Sequence, residues 1–192
     1  MNRPKTISGE QANKLYLWLD GRYKIIFALA VQTGLRISDI LRLKVKDLYN
    51  PMHVWESKSK RYRDVAVSND IYAYLEKFAG HRSPDSFLFD SWHKSGVSVH
   101  RSTIHRHIKK ALKFVNFDAS AHSARKLYAQ NVYKDTNSVE AVQKSLNHQK
   151  ITTTLTYLDK YVELTAVGRL WYKVLKGIKN FFGRIFIKKV KK

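Results

Sequence analysis

Three short stretches place charged or reactive side chains inside otherwise apolar sequence. In GLRISD, Arg36 lies between apolar neighbours; in HSARK, His122 and Arg125 stand three residues apart; in the stretch that begins LNH, His148 precedes Tyr157 by nine residues. An arginine packed between apolar helices costs free energy unless an anion meets it. These residues are therefore candidates for a site that binds a negatively charged group.

The two arginines, two histidines and one tyrosine of these stretches, together with the lysine that ends HSARK, are suited to phosphoryl transfer. Arginine forks can neutralise the non-bridging oxygens of a phosphodiester as charge builds up at phosphorus. A tyrosine hydroxyl can attack the phosphorus and keep the bond energy in a covalent intermediate. A lysine or histidine can donate a proton to the leaving oxygen. This chemistry needs no metal, and we predict neither a metal site nor a cofactor, since the histidines at 100, 105 and 107 match no standard zinc spacing.

The charge balance points to a polyanionic partner. The 192 residues include 36 Lys and Arg against 15 Asp and Glu, a formal net charge of +21. Double-stranded DNA is the expected partner, with an anionic membrane surface as a weaker second possibility. The absence of cysteine excludes disulfides, cysteine-ligated zinc and thiol catalysis. With no apolar run of signal-peptide length at its start, the chain is expected to be cytoplasmic.

The periodicity of apolar residues predicts an α+β fold that is mainly helical. Alternation on either side of a basic turn at 58–60 predicts one antiparallel β-hairpin across 53–67. Ser8, with Gln11 three residues later, is predicted to cap the first helix. Helices are predicted at 10–19, 23–32, from 38 onward, and at 69–78 (capped by Asn69), 102–115, 122–133, 138–146 and 152–158.

Two segments differ in composition. Residues 1–165 are predicted to form one domain, and residues 166–192 a separate basic, amphipathic tail in which apolar residues recur three or four apart. The tail has two interpretations that the sequence leaves open: packing against a neighbouring protomer, or contact with a membrane surface.

The motifs together resemble the catalytic domain of the tyrosine recombinase (phage integrase) family. QTGLRISDILRLKVKDL is similar to its first arginine box, SKSKRYRDVAV to its β-hairpin, HSARKLYA to its His-x-x-Arg box and SLNHQKITTTLTYL to its final box. Each box alone is a common pattern, but all of them occur in the family's order and spacing over roughly residues 6–161.

The resemblance implies a residue-by-residue active site. Its six catalytic residues would be Arg36, Lys58, His122, Arg125, His148 and the nucleophile Tyr157. Asp39 would position these catalytic residues without contacting the substrate. Lys60 is the alternative to Lys58 as the catalytic lysine, and Tyr161 is the alternative to Tyr157 as the nucleophile. Contacts to DNA are predicted for Lys60, Arg61, Arg101, Arg106 and Lys126.

The resemblance also implies a function. The chain is expected to be a site-specific DNA recombinase that cleaves and rejoins DNA through a 3′-phosphotyrosyl intermediate, without metal or ATP. It would act as a tetramer on DNA that exchanges C-terminal tails, and it could be encoded by a phage or another mobile element. The alternatives are a strand transferase of the type IB topoisomerase or telomere resolvase kind, and a non-catalytic basic DNA-binding module. Box spacing favours the recombinase.

Three departures from the family pattern stand out. Asn147 replaces the usual glycine before the last histidine, and asparagine tolerates the left-handed backbone that a turn there requires. Lys126 stands where many members have histidine. The family's N-terminal DNA-binding domain has no counterpart in these residues, so the sequence is read either as a catalytic-domain fragment or as a short single-domain member.

Overall fold

A computed structural model describes residues 6–91 and 96–158 of the chain. This part is mainly helical with one two-stranded antiparallel sheet, which confirms the predicted fold class. The helices are α1 (Gly9–Trp18), α2 (Gly21–Thr33), α3 (Ile37–Ile40), α4 (Asn69–Ala79), α5 (Arg101–Ala111), α6 (Ala121–Thr136), α7 (Val139–Ser145) and α8 (Ile151–Leu155). The strands are β1 (Met52–Glu56) and β2 (Arg61–Val65), and short 3₁₀ helices span Val45–Asp47 and Leu112–Phe114.

Helix α2 is the central element of the core. Its apolar residues are buried on almost every side, and it packs against α6, α1 and α4. It ends at Gly34, which adopts a left-handed conformation with φ of 63°. A Cβ atom at Gly34 would lie 2.3 Å from the ring of Tyr128, so only glycine fits. This tight turn sends the chain directly into the segment that carries Arg36.

The helix predicted from Ser38 is much shorter than expected. Ile40, Leu41 and Leu43 are buried as predicted, but α3 ends after one turn. The amide N–H of Leu88 donates to the carbonyl oxygen of Leu43, and Lys44 forms an antiparallel bridge with Phe87. Because the backbone of this segment pairs with another extended segment, it cannot continue the helical hydrogen-bond ladder.

The predicted β-hairpin is confirmed. Met52 pairs with Val65 and Glu56 with Arg61, and residues 57–60 form the turn. Met52, Val54 and Glu56 face inward and are buried, whereas the alternate positions of β1 face outward. A fully buried glutamate at an inward position is unusual, and the carboxylate of Glu56 pairs with Arg36.

Several helix boundaries and caps differ from the predictions by a few residues. Ser8 and Gln11 form the predicted capping box. The residue before α4 is Ser68, so Asn69 lies inside the helix rather than at its N-cap. Helix α5 begins at Arg101, and the side chain of His100 accepts a hydrogen bond from the N–H of Ser102. A histidine ring nitrogen thus takes the capping role usually filled by Ser, Thr, Asp or Asn.

The elements up to Tyr157 belong to one compact unit. The predicted amphipathic helix of the tail, and the predicted boundary at residue 165, lie outside the described residues. Within 6–91 and 96–158, no helix is long and apolar enough to span a lipid bilayer.

Candidate active site

Arg36 lies directly before the first turn of α3, at the end of the Gly34 turn. Its Nη1 donates a 2.9 Å hydrogen bond to Oε2 of Glu56 and lies 3.8 Å from Oδ2 of Asp39. Asp39 is buried and accepts hydrogen bonds from the N–H and hydroxyl of Ser57, the first residue of the hairpin turn. These contacts fix α3 to the hairpin and orient the Arg36 guanidinium, whose side chain remains 19% exposed.

Glu56 is a site residue that was not predicted from the sequence. Its carboxylate is completely buried at the end of β1 and lies between two arginines, Arg36 and Arg63. Nε of Arg63 is 2.8 Å from Oε1 of Glu56, an ion pair whose angle is not that of a hydrogen bond. The signal that could have identified Glu56 is its position in the alternation, since a charged residue at an inward strand position requires a buried partner.

Arg125 is only 2% exposed, on the buried side of α6. Its Nη1 donates to the carbonyl oxygen of Gly34, and its Nη2 donates to the carbonyl oxygen of Leu146 at 2.7 Å. Burial, with repulsion from Arg36, lowers the pKa of Arg125 to about 10, so the side chain keeps its charge at neutral pH. Its Nε has no hydrogen-bond partner in the described part of the chain.

His148 follows a left-handed turn at Asn147, whose φ of 53° agrees with the prediction for this position. The ring is 8% exposed and lies between Nη2 of Arg125, at 3.4 Å from Nε2, and the hydroxyl of Thr154, at 3.1 Å from Nδ1. Because arginine can only donate, Nε2 accepts and the proton resides on Nδ1. Burial and the charge of Arg125 lower the pKa of His148 to about 3, so the ring is neutral at pH 7.

Tyr157 lies two residues beyond α8 and is half-buried. Its ring centroid is 5.1 Å from that of His148, with the planes inclined at 60°. Its amide N–H donates to the carbonyl oxygen of Thr154, so Thr154 contacts both His148 and the backbone of Tyr157. The competing Tyr161 lies outside the described residues.

Two adjoining cavities open beside these groups, and both are lined by Arg36 and Lys58. The smaller cavity, of about 140 Å³, is also lined by His148, Ser59 and Asn147. The larger cavity, of about 240 Å³, is also lined by Arg125, Arg101, His105 and His122. Lys58 is exposed at the hairpin turn and borders both cavities, whereas Lys60 lines neither.

Five residues form what we call the floor of the cleft, and four form its rim. The floor consists of Arg36, Glu56, Arg63, Arg125 and His148. The rim consists of Lys58, Arg101, His105 and His122. The floor thus holds three arginines against one carboxylate, with Asp39 behind it, and retains a net positive charge that an anion would neutralise.

The rim histidines differ from His148 in their exposure. His122 stands at the start of α6 with its side chain only partly exposed, and His105 is half-buried on α5. Partial burial lowers the pKa of His122, and the neighbouring His105 and Arg125 lower it further. Partial burial and Arg101 likewise lower the pKa of His105, which the sequence analysis did not assign to the site. Both rings can therefore be neutral proton acceptors at neutral pH.

Four of the five residues predicted to contact DNA are exposed: Lys60, Arg61, Arg101 and Arg106. Lys126 differs, since it is only 6% exposed on α6. Its contact with DNA stays a prediction. Among the described residues, no cluster of three or more histidine or acidic side chains could hold a metal ion.

Comparison with known proteins places the sequence in a family. Residues 5–163 match the family model described as the phage integrase family. The chain is 28% identical over 156 residues to the probable integrase/recombinase YoeC of Bacillus subtilis, covering 80% of this chain and 84% of that protein. It is 30% identical over 142 residues to a tyrosine recombinase of Thermosipho africanus, covering 71% of this chain but 49% of that protein.

A solved structure supports the fold. The XerH site-specific recombinase bound to its difH substrate, in a pre-cleavage complex, superposes with a TM-score of 0.65 at 19% identity, covering 82% of this chain and 51% of that one. The resemblance noted in the sequence is thereby confirmed, and the arginine, histidine and tyrosine boxes meet in one cleft of a shared fold. The chain belongs to the phage integrase family of tyrosine recombinases.

Proposed function

We propose that the chain is a site-specific DNA recombinase that cleaves and rejoins double-stranded DNA through a 3′-phosphotyrosyl intermediate. One observation carries the proposal: side chains from α3, the hairpin, α6 and the segment after α7 converge on two adjoining cavities, with Tyr157 next to His148. These groups lie as far as 121 positions apart in the sequence. Their convergence in one positively charged cleft fits a phosphodiester substrate.

The floor would bind the scissile phosphate. Arg36 and Arg125 would donate to its non-bridging oxygens, where charge increases as the pentacoordinate transition state forms. Arg125 is suited to this role because its Nε lacks a partner while its other nitrogens are held by backbone carbonyls. Neutral His148 would contact the same phosphate by donating from Nε2, once the proton that Nδ1 carries in the free protein has moved to Nε2. The hydroxyl of Thr154 can donate as well as accept, so it would orient the ring in either tautomer.

Tyr157 would be the nucleophile. Its oxygen forms a bond to phosphorus while the bond from phosphorus to the 5′ oxygen breaks, so the number of phosphodiester bonds is conserved. Lys58, which borders both cavities, would protonate the departing 5′ oxygen. The hydroxyl proton of Tyr157 would leave to solvent by way of His122, whose lowered pKa favours a neutral ring. The reverse sequence rejoins the strand, and neither metal nor ATP enters this balance.

DNA as the substrate is supported by charge and by the fold. Lys60, Arg61, Arg101 and Arg106 are exposed on elements that border the cleft, and the chain carries a formal net charge of +21. The XerH structure is a complex with DNA. We further propose that residues 1–165 form the catalytic domain and that residues 166–192 link subunits in a tetramer on DNA.

Trapping the covalent adduct tests the nucleophile. Nicked DNA carrying a candidate target site is incubated with the wild-type protein, and the adduct is resolved on a denaturing gel and mapped by mass spectrometry. Tyr157→Phe should abolish the adduct and leave DNA binding intact, while the matched control Tyr161→Phe should retain it. An adduct that survives Tyr157→Phe would refute the assignment.

Two further measurements separate the proposal from its alternatives. Adduct formation should persist in EDTA, and dependence on a divalent cation would contradict the proposed mechanism. Relaxation of supercoiled plasmid without sequence preference would instead identify a topoisomerase. Binding without any adduct on any substrate would identify a non-catalytic module.

A further inference from the structure

We propose that the outward face of the β-hairpin is a stacking platform for unpaired DNA bases. The stacking platform consists of His53 and Trp55 on β1 and Tyr62 on β2. The proposal rests on the proposed function, because it concerns the same DNA after one strand has been cleaved. It assigns a role to residues that lie outside the cleft and that none of the catalytic steps uses.

The three rings form one continuous aromatic surface. The ring centroids of His53 and Tyr62 are 4.5 Å apart with their planes inclined at 7°, and those of Trp55 and Tyr62 are 4.9 Å apart at 59°. Trp55 and Tyr62 face each other across the strands. Trp55 is 44% exposed and Tyr62 is 59% exposed, so a substantial part of this surface meets solvent.

Hydrophobic burial does not account for this surface. The inward residues of the hairpin, Met52, Val54 and Val65, already supply its contribution to the core. Burying an exposed aromatic ring is favourable, and these rings have not gained that free energy in the folded chain. They can gain it by contact with a ligand that has a flat apolar face.

The charges beside the platform favour a nucleic acid as the occupant. Lys58 and Lys60 lie in the hairpin turn and Arg61 begins β2, and all three are exposed. The acidic residue on the same face, Asp64, is engaged by Nδ1 of His53 at 2.5 Å. Basic side chains that attract a backbone, next to aromatic rings that stack on bases, are the combination found in proteins that bind single-stranded nucleic acids.

The base must be unpaired, because a paired base presents only its edges to a protein in the grooves of a duplex. Cleavage supplies unpaired bases in this region. If Lys58 protonates the departing 5′ oxygen, the released strand begins at the hairpin turn. Trp55 lies on the strand that leads directly into this turn, three residues before Lys58. The platform is thus placed to hold the first released bases before they pair with a new partner.

The test compares two DNA probes and two exposed tryptophans in the full-length chain. Fluorescence anisotropy measures binding to a short oligothymidylate and to a fully paired duplex of equal charge. Trp55→Ala and Tyr62→Ala should each weaken binding to the oligothymidylate by roughly tenfold while leaving the affinity for the duplex nearly unchanged. Trp18→Ala is the matched control, since Trp18 is 50% exposed and stacks on Phe114 at 4.4 Å. It should leave both affinities unchanged.

A conservative variant guards against misfolding. Trp55→Phe keeps an aromatic face and should retain most of the affinity for the oligothymidylate, while the quenching of tryptophan fluorescence on binding should decrease. Equal losses on the two probes would show that the hairpin contacts phosphates only. Unchanged affinity for both probes would also overturn the proposal. So would a concentration-dependent dimer that Trp55→Ala dissolves, because the face would then be a protein interface.

The outcomes distinguish this inference from the proposed function. If wild-type protein forms the Tyr157 adduct but its variants do not discriminate between the probes, the stacking platform alone is refuted. If the chain binds neither probe and forms no adduct, the proposed function fails as well.

Discussion

Residues of both the floor and the rim of the cleft line the two cavities, but the two regions are built differently. In the floor, Arg36 and Arg63 share the buried carboxylate of Glu56, and Arg125 is held by two backbone carbonyls. In the rim, Lys58 and His122 are exposed. One region is fixed by buried polar contacts, whereas the other is free to change its contacts.

This difference corresponds to two chemical tasks. Stabilising a transition state requires donors that are already in place, because reorientation during the reaction costs free energy. Delivering a proton to a leaving oxygen requires a group that can approach when the substrate is bound. The floor is therefore suited to recognising the phosphate, and the rim to proton movement and contact with the DNA backbone.

Removing the carboxylate of Glu56 should have the largest effect. Glu56→Gln removes the buried counter-charge of Arg63 and leaves Arg36 with only the more distant Asp39, and breaking a buried ion pair costs about 3–5 kcal/mol of folding free energy. Urea denaturation of the purified protein measures this loss. The matched control is Asp85→Asn, which removes an exposed ion pair of similar length with Lys46, 2.7 Å, and should change stability little. Equal effects of the two variants would show that the floor is not stabilised by its buried charges.

Replacing the lysine of the rim should slow cleavage without unfolding the protein. Lys58→Ala removes the proposed proton donor and should lower the single-turnover cleavage rate by about 10²-fold or more, whereas Lys60→Ala should leave it near wild type. The experiment uses nicked DNA carrying the target site.

A sulfur substitution sharpens this test. When sulfur replaces the 5′ bridging oxygen, the leaving group is a thiolate whose conjugate acid has a pKa of about 8.5, so it departs without a proton. Lys58→Ala should then cleave at nearly the wild-type rate. A defect that persists on the sulfur substrate would assign Lys58 to phosphate binding instead.

The features that the sequence predicted well depend on local patterns. Alternating residues predicted the hairpin, Ser8 and Gln11 predicted a capping box, and Asn147 was expected to adopt the left-handed backbone that it has. Each of these follows from a few neighbouring residues. The order and spacing of the boxes likewise sufficed to identify the family.

The features that could not be predicted from the sequence depend on tertiary packing. Glu56 pairs with Arg36 across twenty positions, and although the strand alternation indicates that Glu56 points inward, no local pattern indicates which residue is its partner. Helix α3 ends early because Leu43 bonds to Leu88, a distant segment. The burial of Lys126 was not predicted, because it follows from the packing of α6, which is buried on nearly every side between Ser123 and Leu127.

The pH dependence of stability should separate His148 from His122. Folding lowers the pKa of His148 to about 3. At pH values between about 3 and the ordinary histidine pKa of about 6.5, this histidine is therefore protonated in the unfolded chain and neutral in the folded chain. Stability is then full above about pH 6.5 and falls on acidification, by at most about 1.4 kcal/mol per pH unit for one histidine. His148→Gln should flatten this slope in urea denaturation more than His122→Gln, whose exposed ring contributes less. The reverse order would contradict the assignment of His148 to the buried floor.

The smallest effect is expected for single arginines outside the floor, because each contributes one of many phosphate contacts. Arg101→Gln should lower the slope of log affinity against log salt by about 0.9 and weaken duplex binding uniformly across sequences. Lys77→Gln is the control, since Lys77 is exposed on α4 and lines neither cavity. Its salt slope should match that of the wild type. Both slopes are measured by fluorescence anisotropy on one duplex. If Arg101→Gln abolished binding at every salt concentration, Arg101 would act as a fixed recognition element like the floor, and the division between the two regions would be wrong.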